Sequence, residues 1–328
     1  MMFYSVIIPA YNARNTIEKC MLALTNQSVP KENYEVIVID DGSTDNTAEM
    51  AKKFQVKYFH QPNHGPATAR NKGVREAKGE IILFTDADCV PRDNWIEEMA
   101  KPFENPEVMA VKGAYKTEQK TLIARFAQVE FEERFRMLKK TESIDMIDTY
   151  SAGYRKSVFL SLGGFDTSFP AANNEDTELS YKMSRAGHKM VFNPDAVVYH
   201  LNHPDSIERY ARLKFWRGYW RMVVYKRYPD KMLRDSYTPQ TLKLQILFLF
   251  LFLMCLSFMW LFQNLMFYLL AFTLTLFFLS TLPFTILALK KDITVALLSP
   301  FFLSLRAVSL GFGFIWGVLS MKNPFNKH

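Results

Sequence analysis

The sequence of 328 residues has few cysteines: Cys20, Cys89 and Cys255 are its three, and they lie far apart. Their spacing matches neither a disulfide framework nor a zinc site, both of which need closely spaced cysteines. This pattern favours a catalytic part that is kept in a reducing compartment. Met1–Ala10 also lacks the basic residues and the long apolar core of a secretory signal peptide, so we expect the chain to start with a strand.

Charge is absent from residues 244–289, a run of 46 residues. A membrane-spanning helix needs roughly 20 apolar residues, so the run has room for two. We predict spans over Leu244–Phe262 and Leu265–Leu289, with Gln263 and Asn264 between them. The alternative is a buried hairpin in a soluble protein, but soluble helices carry a polar face that this run lacks. The sequence therefore predicts a membrane protein.

A third apolar region, Ile293–Met321, contains Arg306 near its middle. A charge at that depth is costly unless it is paired or faces the protein interior. Two spans would return Lys290 and Lys291 to the cytoplasm, as the excess of basic residues in cytoplasmic loops requires, whereas a third would place the basic C-terminus outside. We favour a third span and keep a re-entrant or interfacial pair of helices as the alternative.

The net charge of +7 is concentrated in residues 209–243, which hold ten basic residues and two acidic ones. Nucleic-acid binding would account for such a patch, but it directly precedes a predicted span. Basic clusters beside a span attract anionic lipid and mark the cytoplasmic side, so we expect membrane lipids and no nucleic acid as partners.

Residues 210–225 within this segment predict an amphipathic helix with Trp216, Tyr219, Trp220 and Val223 on one face. An aromatic stripe flanked by cations is typical of a helix that lies at the membrane surface. An ordinary helix that faces a protein core is the alternative.

Apolar strands alternate with amphipathic helices in the N-terminal part, which predicts βαβ units and a parallel sheet. The predicted strands are Tyr4–Ile8, Glu35–Asp40, Val56–Phe59 and Glu80–Thr85, and the helices between them are Asn15–Thr25, a helix that ends at Phe54, and Pro66–Ala77. The middle of the chain is less regular. Its predicted elements are helices over Leu122–Lys139, Lys156–Leu162 and Asp176–Ala186, and short strands over Val191–Phe192 and Ala196–Tyr199.

Two carboxylates, Asp86 and Asp88, follow the apolar run Ile81–Phe84 one residue apart. Four consecutive apolar residues predict a strand that is buried on both faces. Ligands of open α/β sheets bind beyond the carboxyl ends of the strands, and Mg²⁺ is often held there by one or two carboxylates plus substrate phosphates. Solvated loops also contain such pairs of carboxylates. Whether Asp86 and Asp88 form a metal site therefore has to be judged together with the neighbouring motifs.

Three further clusters lie at the ends of predicted strands or at the start of a helix. They are Ile7–Asn12 after the first strand, Val38–Ser43 after the second, and the pair of segments Asn63–Pro66 and Ala69–Asn71 ahead of Asp86. Later in the chain, Asn174-Glu175-Asp176 opens a predicted helix and Gly163–Asp166 precedes it.

These stretches together resemble family 2 glycosyltransferases, which have a GT-A fold. The matching sequences are VIIPAYNA, VIDDGSTD, GPATARNKGVREAKGEIILFTDADC, GGFD and NEDTELSYKMSRAGHK, in the expected order over roughly residues 3–200. The C-terminal part resembles membrane-attached exopolysaccharide or lipid-linked glycan transferases. The resemblance implies a Rossmann-like, mostly parallel α/β catalytic domain over residues 1–204, an interfacial segment over 205–243 and a membrane domain over 244–321.

The resemblance also implies an inverting transfer from a nucleoside-diphosphate sugar, with Mg²⁺ or Mn²⁺ as cofactor. The donor would be bound by Pro9, Ala10, Tyr11, Asn12, Asp40, Asp41, Gly65, Arg70, Asp86 and Ala87. Arg70 would face the diphosphate as a fixed cation. Asp88 would bind the metal together with Asp86, and His200 would be a third metal or diphosphate ligand, since imidazole joins carboxylates readily on Mn²⁺.

By the same resemblance, Asp176 would be the general base that takes the proton of an acceptor hydroxyl. Glu175 would keep the local field negative or orient the acceptor. Carboxylates that merely cap the start of a helix are the alternative. The acceptor would be lipid-linked or a membrane molecule. The residues expected to contact it or its lipid phosphate are Arg209, Arg212, Trp216, Arg217, Trp220 and Arg221, and the four arginines among them would hold the phosphate. The enzyme would thus be a multi-pass protein of the inner cell membrane with a cytoplasmic catalytic domain, and an oligomer is compatible with the sequence.

Other functions stay open. A polyprenyl-phosphate sugar synthase acts on an ionised phosphate and would leave Glu175 and Asp176 idle. A processive polysaccharide synthase is disfavoured because the Gln-x-x-Arg-Trp signature is absent and few spans follow. A catalytically inactive nucleotide-binding scaffold is disfavoured by intact Asp86, Asp88 and Asp176. A nucleotidyltransferase would need a glycine-rich basic loop after the first strand, which the sequence lacks.

Overall fold

The computed structural model describes residues 2–169, 174–260 and 263–320, and they form two compact units that alternate along the chain. The first unit runs up to Glu118 and also includes Leu138–His203 and Asp235–Tyr237, whereas the second contains Gln119–Met137, Pro204–Arg234 and the chain from Thr238 onward. This division differs from the three consecutive domains predicted from the sequence. Residues 119–137 join the second unit because their apolar side chains pack with the C-terminal helices.

Eight strands among the described residues form one sheet in the first unit, in the order β3-β2-β1-β4-β7-β6-β8-β5. The strands are β1 (Tyr4–Ala10), β2 (Tyr34–Asp40), β3 (Lys57–His60), β4 (Ile81–Phe84), β5 (Cys89–Pro91), β6 (Val108–Lys116), β7 (Ala152–Arg155) and β8 (Lys189–His200). The neighbours β3, β2, β1 and β4 are parallel, so their carboxyl ends meet at one edge. The pairs β4–β7, β6–β7 and β5–β8 are antiparallel. The predicted α/β class with a mostly parallel sheet is confirmed.

One strand, β8, replaces the two short strands predicted over Val191–Phe192 and Ala196–Tyr199. It continues through Asn193-Pro194-Asp195, where its pairing with β6 shifts register. Such an irregularity accommodates residues that cannot join a regular ladder of hydrogen bonds. Because Asn193-Pro194-Asp195 resembles a turn, the sequence predicted two strands where the structure has one. Strands β5, β6 and β7 were not predicted.

Most of the helices lie close to the predicted positions, but two short ones, over Trp95–Ala100 and Pro229–Leu233, were not predicted. The helices are α1 (Ile17–Thr25), α2 (Thr47–Ala51), α3 (Pro66–Glu76), α4 (Trp95–Ala100), α5 (Leu122–Leu138), α6 (Lys156–Ser161), α7 (Glu175–Arg185), α8 (Ile207–Arg227), α9 (Pro229–Leu233), α10 (Gln240–Ser257), α11 (Gln263–Leu289) and α12 (Ile293–Ser320). Helix α3 packs closely on β1 at Gly73, where a Cβ would overlap the side chain of Ile7. This close approach holds α3 against the strands that lead into the site.

The central strands of the sheet form the core of the first unit. Val6, Ile7 and Ile8 of β1 are fully buried, and β4 is buried along its whole length. A strand that is covered on both faces needs apolar side chains at successive positions, as the sequence pattern predicted. The site therefore lies at the ends of strands whose residues are buried in the core of this unit.

Three helices of the second unit, α10, α11 and α12, are long and apolar enough to cross a membrane within the part of the chain that the structure describes. They correspond to the three predicted apolar segments, although α10 and α11 begin slightly earlier than predicted. The predicted ends of the first and third segments, residues 261–262 and Met321, lie outside the described residues. Whether α12 crosses the membrane stays a prediction.

Arg306 is buried within the second unit, with 1% of its side chain exposed. Its Nη1 atom donates to Glu130 Oε1 on α5 at 3.0 Å, and its Nη2 atom donates to Gln245 Oε1 on α10 at 2.8 Å. Lys214 and Tyr210 of α8 also donate to Glu130. The expectation that a charge within the last apolar segment must be paired is confirmed.

Helix α8 carries the predicted aromatic stripe, but its residues differ in exposure. Trp216 is exposed, Tyr219 and Trp220 are half-buried, and Val223 is buried. On another part of its surface, Gly218 lies so close to α12 that a Cβ would overlap the backbone oxygen of Leu310. Small residues allow helices to approach closely, so α8 combines a packed glycine contact with an exposed tryptophan.

Candidate active site

A cleft of about 520 Å³ lies beyond the carboxyl ends of β1, β2 and β4, next to the end of β8. The predicted donor-binding residues that line it are Pro9, Ala10, Tyr11, Asn12, Asp41, Gly65, Arg70, Asp86 and Ala87, and Asp88 and His200 line it as well. Strand order explains this convergence, because parallel neighbours deliver the residues after each strand to the same edge. Asp40 is the predicted donor residue that does not line the cleft.

Asp41 connects the loop after β2 with the loop before α3. Its carboxylate accepts hydrogen bonds from the backbone N–H groups of His64 and Gly65, at 2.9 and 2.8 Å, and from the side chain of Gln61 at 2.7 Å. Gly65 has a φ of 88°, a left-handed conformation that glycine adopts without strain. The sequence marked Asp41 and Gly65 but not Gln61, whose role depends on how the two loops meet.

Asp40 holds the turn that follows β2. Its side chain accepts hydrogen bonds from Tyr58 and from the backbone N–H of Ser43. Burial by itself raises the pKa of Asp40, but these hydrogen bonds outweigh it, so the pKa lies below its ordinary value. Gly42 of the same turn has a φ of 80°, and a Cβ there would lie 2.8 Å from the backbone nitrogen of Asn63. Asp40 thus holds the turn beside the cleft without lining the cleft itself.

Asn12 joins the loops after β1 and β2 at the rim of the cleft. Its backbone N–H donates to Ser43 Oγ at 3.0 Å, and its side-chain oxygen accepts from the backbone N–H of Thr44 at 2.9 Å. Asn12 itself has a φ of 48°, which asparagine tolerates better than most residues. These bonds hold Tyr11, whose side chain is exposed, at the mouth of the cleft.

The pairing of β5 with β8 brings His200 to Asp88. Cys89 is opposite His200 in this antiparallel pair, and His200 Nε2 lies 3.6 Å from Asp88 Oδ1. The backbone N–H of Asn202 donates to His200 Nδ1 at 3.1 Å, so Nε2 is the ring atom that faces the carboxylate. Burial raises the pKa of Asp88, and the nearby His200 opposes that shift.

The residues present fit a divalent ion. Ligand atoms of Asp88, Cys89 and His200 all lie within 4.8 Å of one another. A carboxylate beside an imidazole suits Mn²⁺, and Asp86 lines the same cleft two residues earlier. Cys89 was missed because its place depends on a three-residue strand that pairs with a distant part of the chain.

Arg70 lies on α3, one turn before Gly73, and its side chain is 3% exposed. Its Nη2 atom donates to Asp86 Oδ1 at 2.8 Å, and its Nη1 atom donates to Glu175 Oε1 at 2.9 Å. The guanidinium therefore joins the cleft to the start of α7. The sequence placed Arg70 opposite the diphosphate and did not predict this double contact.

Glu175 and Asp176 form the first turn of α7, next to Asn174 in a left-handed conformation with a φ of 66°. Burial and the neighbouring Asp176 raise the pKa of Glu175 to about 7, although Arg70 opposes the shift. Asp176 Oδ1 accepts a hydrogen bond from the backbone N–H of Thr177 at 2.7 Å. The two carboxylates differ in burial, since Glu175 is buried and Asp176 is half-buried.

Asn71 fastens the glycine-rich loop before α7 to α3. Its side chain donates to the carbonyl of Phe165 at 2.8 Å and accepts from the N–H of Phe165 at 3.0 Å. Gly164 has a φ of 71° and lies so close that a Cβ would be 2.6 Å from Asn71 Oδ1. Asn71, which follows Arg70 in α3, therefore joins this helix to the loop before α7, although the two segments are far apart in the sequence.

The predicted acceptor residues lie on α8 in the second unit. Arg209 pairs with Asp205 at 3.0 Å and Arg212 pairs with Glu208 at 2.6 Å, in each case one helical turn away. The guanidinium of Arg221 lies 5.9 Å from the ring centre of Tyr225. Exposed pairs of this kind contribute at most about 1 kcal/mol and reopen easily for a stronger anion.

Comparison with known proteins extends these observations. Residues 5–163 match the model of the family described as glycosyl transferase family 2. The chain is 30% identical over 211 residues to the glycosyltransferase AglE of Haloferax volcanii, covering 62% of this chain and 68% of that protein. It is 30% identical over 237 residues to the probable glycosyltransferase YdaM of Bacillus subtilis, covering 66% of this chain and 52% of that protein. The chain thus spans about two thirds of AglE and about half of YdaM.

The fold is similar to that of the mannosyltransferase PcManGT from Pyrobaculum calidifontis, which was solved with GDP-Man and Mn²⁺. The TM-score is 0.63 at 20% sequence identity, and the match covers 97% of this chain and 87% of that one. At this identity the similarity concerns the fold alone. It confirms the predicted α/β fold with C-terminal apolar helices.

Proposed function

Because the chain belongs to glycosyl transferase family 2 and is a nucleotide-sugar glycosyltransferase, we propose that it moves a sugar from a nucleoside diphosphate to a hydroxyl of a lipid-linked or membrane acceptor. The transfer inverts the anomeric centre and takes place at the cytoplasmic face. One observation carries the proposal: the cleft brings Asp41, Asp86, Asp88 and His200 together beyond the carboxyl ends of the strands.

The donor occupies this cleft in the proposal. Asp41 and the segment Pro9–Asn12 hold the nucleoside, and Asp86 contacts ribose or sugar. The similar fold of PcManGT was solved with GDP-Man and Mn²⁺, which supports a nucleoside-diphosphate sugar and a divalent ion as partners here. An ion held by Asp88, His200 and Asp86 would neutralise the charge that builds on the leaving diphosphate. Such charge stabilisation is commonly the largest contribution to catalysis.

Asp176 removes the acceptor proton in the proposal. Its position in the first turn of α7 and its partial exposure leave it accessible to an acceptor, whereas Glu175 is buried against Arg70. The anomeric carbon is then attacked from the face opposite the diphosphate, and the proton moves from the hydroxyl to the Asp176 carboxylate. A base of this kind typically contributes about 10²–10⁴-fold to the rate.

The acceptor belongs to the membrane in the proposal. The apolar helices α10, α11 and α12 support a membrane anchor, and α8 supplies exposed cations and Trp216 for a lipid phosphate. Cations close to a bilayer surface attract anionic groups by about 1 kcal/mol each. A polyprenyl-phosphate sugar synthase would use the same cleft and anchor but an ionised phosphate as the nucleophile.

The test uses the purified full-length protein in detergent or nanodiscs with Mn²⁺. UDP-, GDP- and dTDP-sugars are screened for release of nucleoside diphosphate, with and without a membrane lipid extract as acceptor. We expect one donor class to be cleaved, and cleavage to stop when EDTA removes the metal. Absence of both cleavage and transfer with every donor would contradict the proposal.

A further inference from the structure

One guanidinium contacts two carboxylates that belong to different parts of the proposed reaction. Arg70 binds Asp86, which lines the cleft, and Glu175 in the first turn of α7, and the Glu175 contact joins residues 105 positions apart. The side chains of Arg70 and Glu175 are both 3% exposed, whereas that of Asp86 is 27% exposed. Arg70 and Asp86 both line the cleft, but Arg70 presents much less of its side chain there than Asp86 does.

This geometry leaves Arg70 poorly suited to bind the donor diphosphate. Its two terminal nitrogens already face carboxylates, and its Nε atom is buried without a hydrogen-bond partner among the described residues. Turning the guanidinium toward a diphosphate would break the Glu175 contact and leave the buried carboxyl group of Glu175 without this hydrogen-bond donor. Leaving a buried polar group without its partner is unfavourable.

We infer that Arg70 is a positioning residue. Its guanidinium contacts Glu175 and Asp86 together, an arrangement we call the fork, and thereby fixes the segment that contains Asp176 relative to the donor site. The inference rests on the proposed function, and it states how the proposed general base, Asp176, is oriented. Arginine is suited to this task because its planar guanidinium presents N–H groups in two directions at once, which a lysine ammonium cannot do with the same geometry.

The packing around the fork supports the inference. Gly73 holds α3 against β1, and Asn71 holds the loop before α7, so Arg70 extends from a helix that is fixed on both sides. A displacement of about 1 Å in a reacting group can cost about 100-fold in rate. Loss of the fork should therefore impair turnover more than it impairs binding of the donor.

The experiment compares Arg70→Met, Arg70→Lys, Glu175→Gln and the double variant Arg70→Met/Glu175→Gln in the full-length protein. Turnover and donor KM are measured, and binding of UDP and of GDP, each with Mn²⁺, is measured by calorimetry. We expect Arg70→Met to lower kcat about 100-fold while the affinity for the bound nucleotide changes by less than about 3-fold. Arg70→Lys should also lose at least about 10-fold in kcat, because it can contact only one carboxylate.

The double variant separates a shared role from two independent ones. If Arg70 acts through Glu175, the loss in the double variant should be no greater than the larger single loss. Arg75→Met is the matched control, since Arg75 is exposed on the same helix, and it should behave like the wild type.

Three results would overturn the inference. The first is a loss of nucleotide affinity of about 10-fold or more in Arg70→Met that Arg70→Lys restores, as expected of a diphosphate ligand. The second is multiplicative losses in the double variant, and the third is unchanged kcat. If Arg70→Met does not fold, Arg70→Lys and Glu175→Gln decide the question by the same two measurements. A wild-type protein that neither binds nor cleaves any nucleotide sugar contradicts the proposed function itself.

Discussion

Arg306, in the last apolar helix, donates a hydrogen bond at 3.0 Å to Glu130, which lies 176 positions earlier in the chain. Both side chains are 1% exposed, and Lys214 shares the same carboxylate at 3.0 Å. Burial alone would raise the pKa of Glu130, but the surrounding cations and the hydroxyl of Tyr210 hold it well below its ordinary range. The carboxylate of Glu130 is therefore shared by Arg306 and Lys214, and Glu133 Oε2 also lies 3.9 Å from Arg306 Nη1.

Replacing Glu130 should destabilise the second unit. Glu130→Gln removes the negative charge that Lys214 and Arg306 share and leaves Arg306 only the more distant Glu133 at 3.9 Å, for which we expect a loss of about 3–5 kcal/mol. Thermal and chemical unfolding of the detergent-solubilised protein measures it. Glu132→Gln is the control, because Glu132 forms a partly exposed pair with Lys291, and it should cost less than about 1 kcal/mol. Equal effects of the two substitutions would show that the buried cluster contributes little.

Asp88→Asn should weaken metal binding in the cleft. The substitution keeps the shape of the side chain but removes the charge that lies 3.6 Å from His200 Nε2. We expect the affinity for Mn²⁺ in the presence of UDP or GDP to fall by at least about 10-fold, as for other lost metal-binding contacts. Electron paramagnetic resonance of free and bound Mn²⁺ checks this without any turnover. Asp93→Asn, at an exposed position nearby, should leave Mn²⁺ binding unchanged.

Asp176→Asn should distinguish the two proposed acceptors. If the nucleophile is a hydroxyl, loss of the base should lower kcat by about 100-fold or more. If the nucleophile is an ionised phosphate, kcat should stay within a few-fold of the wild type. Transfer of radiolabelled sugar to extracted lipids measures the rate. The stability of the new linkage to base and to acid reports whether the acceptor group was a hydroxyl or a phosphate. Asp195→Asn, exposed on β8, serves as the control.

The stability of the first unit should depend on pH through Glu175. Its pKa is raised from 4.5 to about 7 in the folded protein, so the folded state binds more protons than the unfolded state between these values. Stability from this group is therefore present below about pH 4.5 and is lost as the pH rises toward about 7. Glu175→Gln cannot ionise, so its melting temperature relative to the wild type should increase across this interval. A constant difference between the two proteins from pH 4.5 to 7 would contradict this expectation.

Much of the fold could be predicted because it depends on local patterns. Alternating apolar strands and amphipathic helices predicted the parallel part of the sheet, and Asp86 and Asp88 were placed at a strand end by the apolar run before them. The uncharged run of residues 244–289 predicted two long apolar helices for the same reason. Strands β5 and β7 were missed because they are short and pair with strands elsewhere in the sheet. The longer strand β6 was missed as well; it pairs with β7 and β8, which lie later in the chain.

The sequence by itself determined which side chains are available and on which element each one lies. Tertiary structure alone decided that Arg70 contacts Glu175, that β8 brings His200 to Asp88, and that Glu130 pairs with Arg306. The physical reason is distance along the chain. Periodicity and turn chemistry act over a few residues, whereas these contacts form only after segments about 100 or more positions apart have packed against each other.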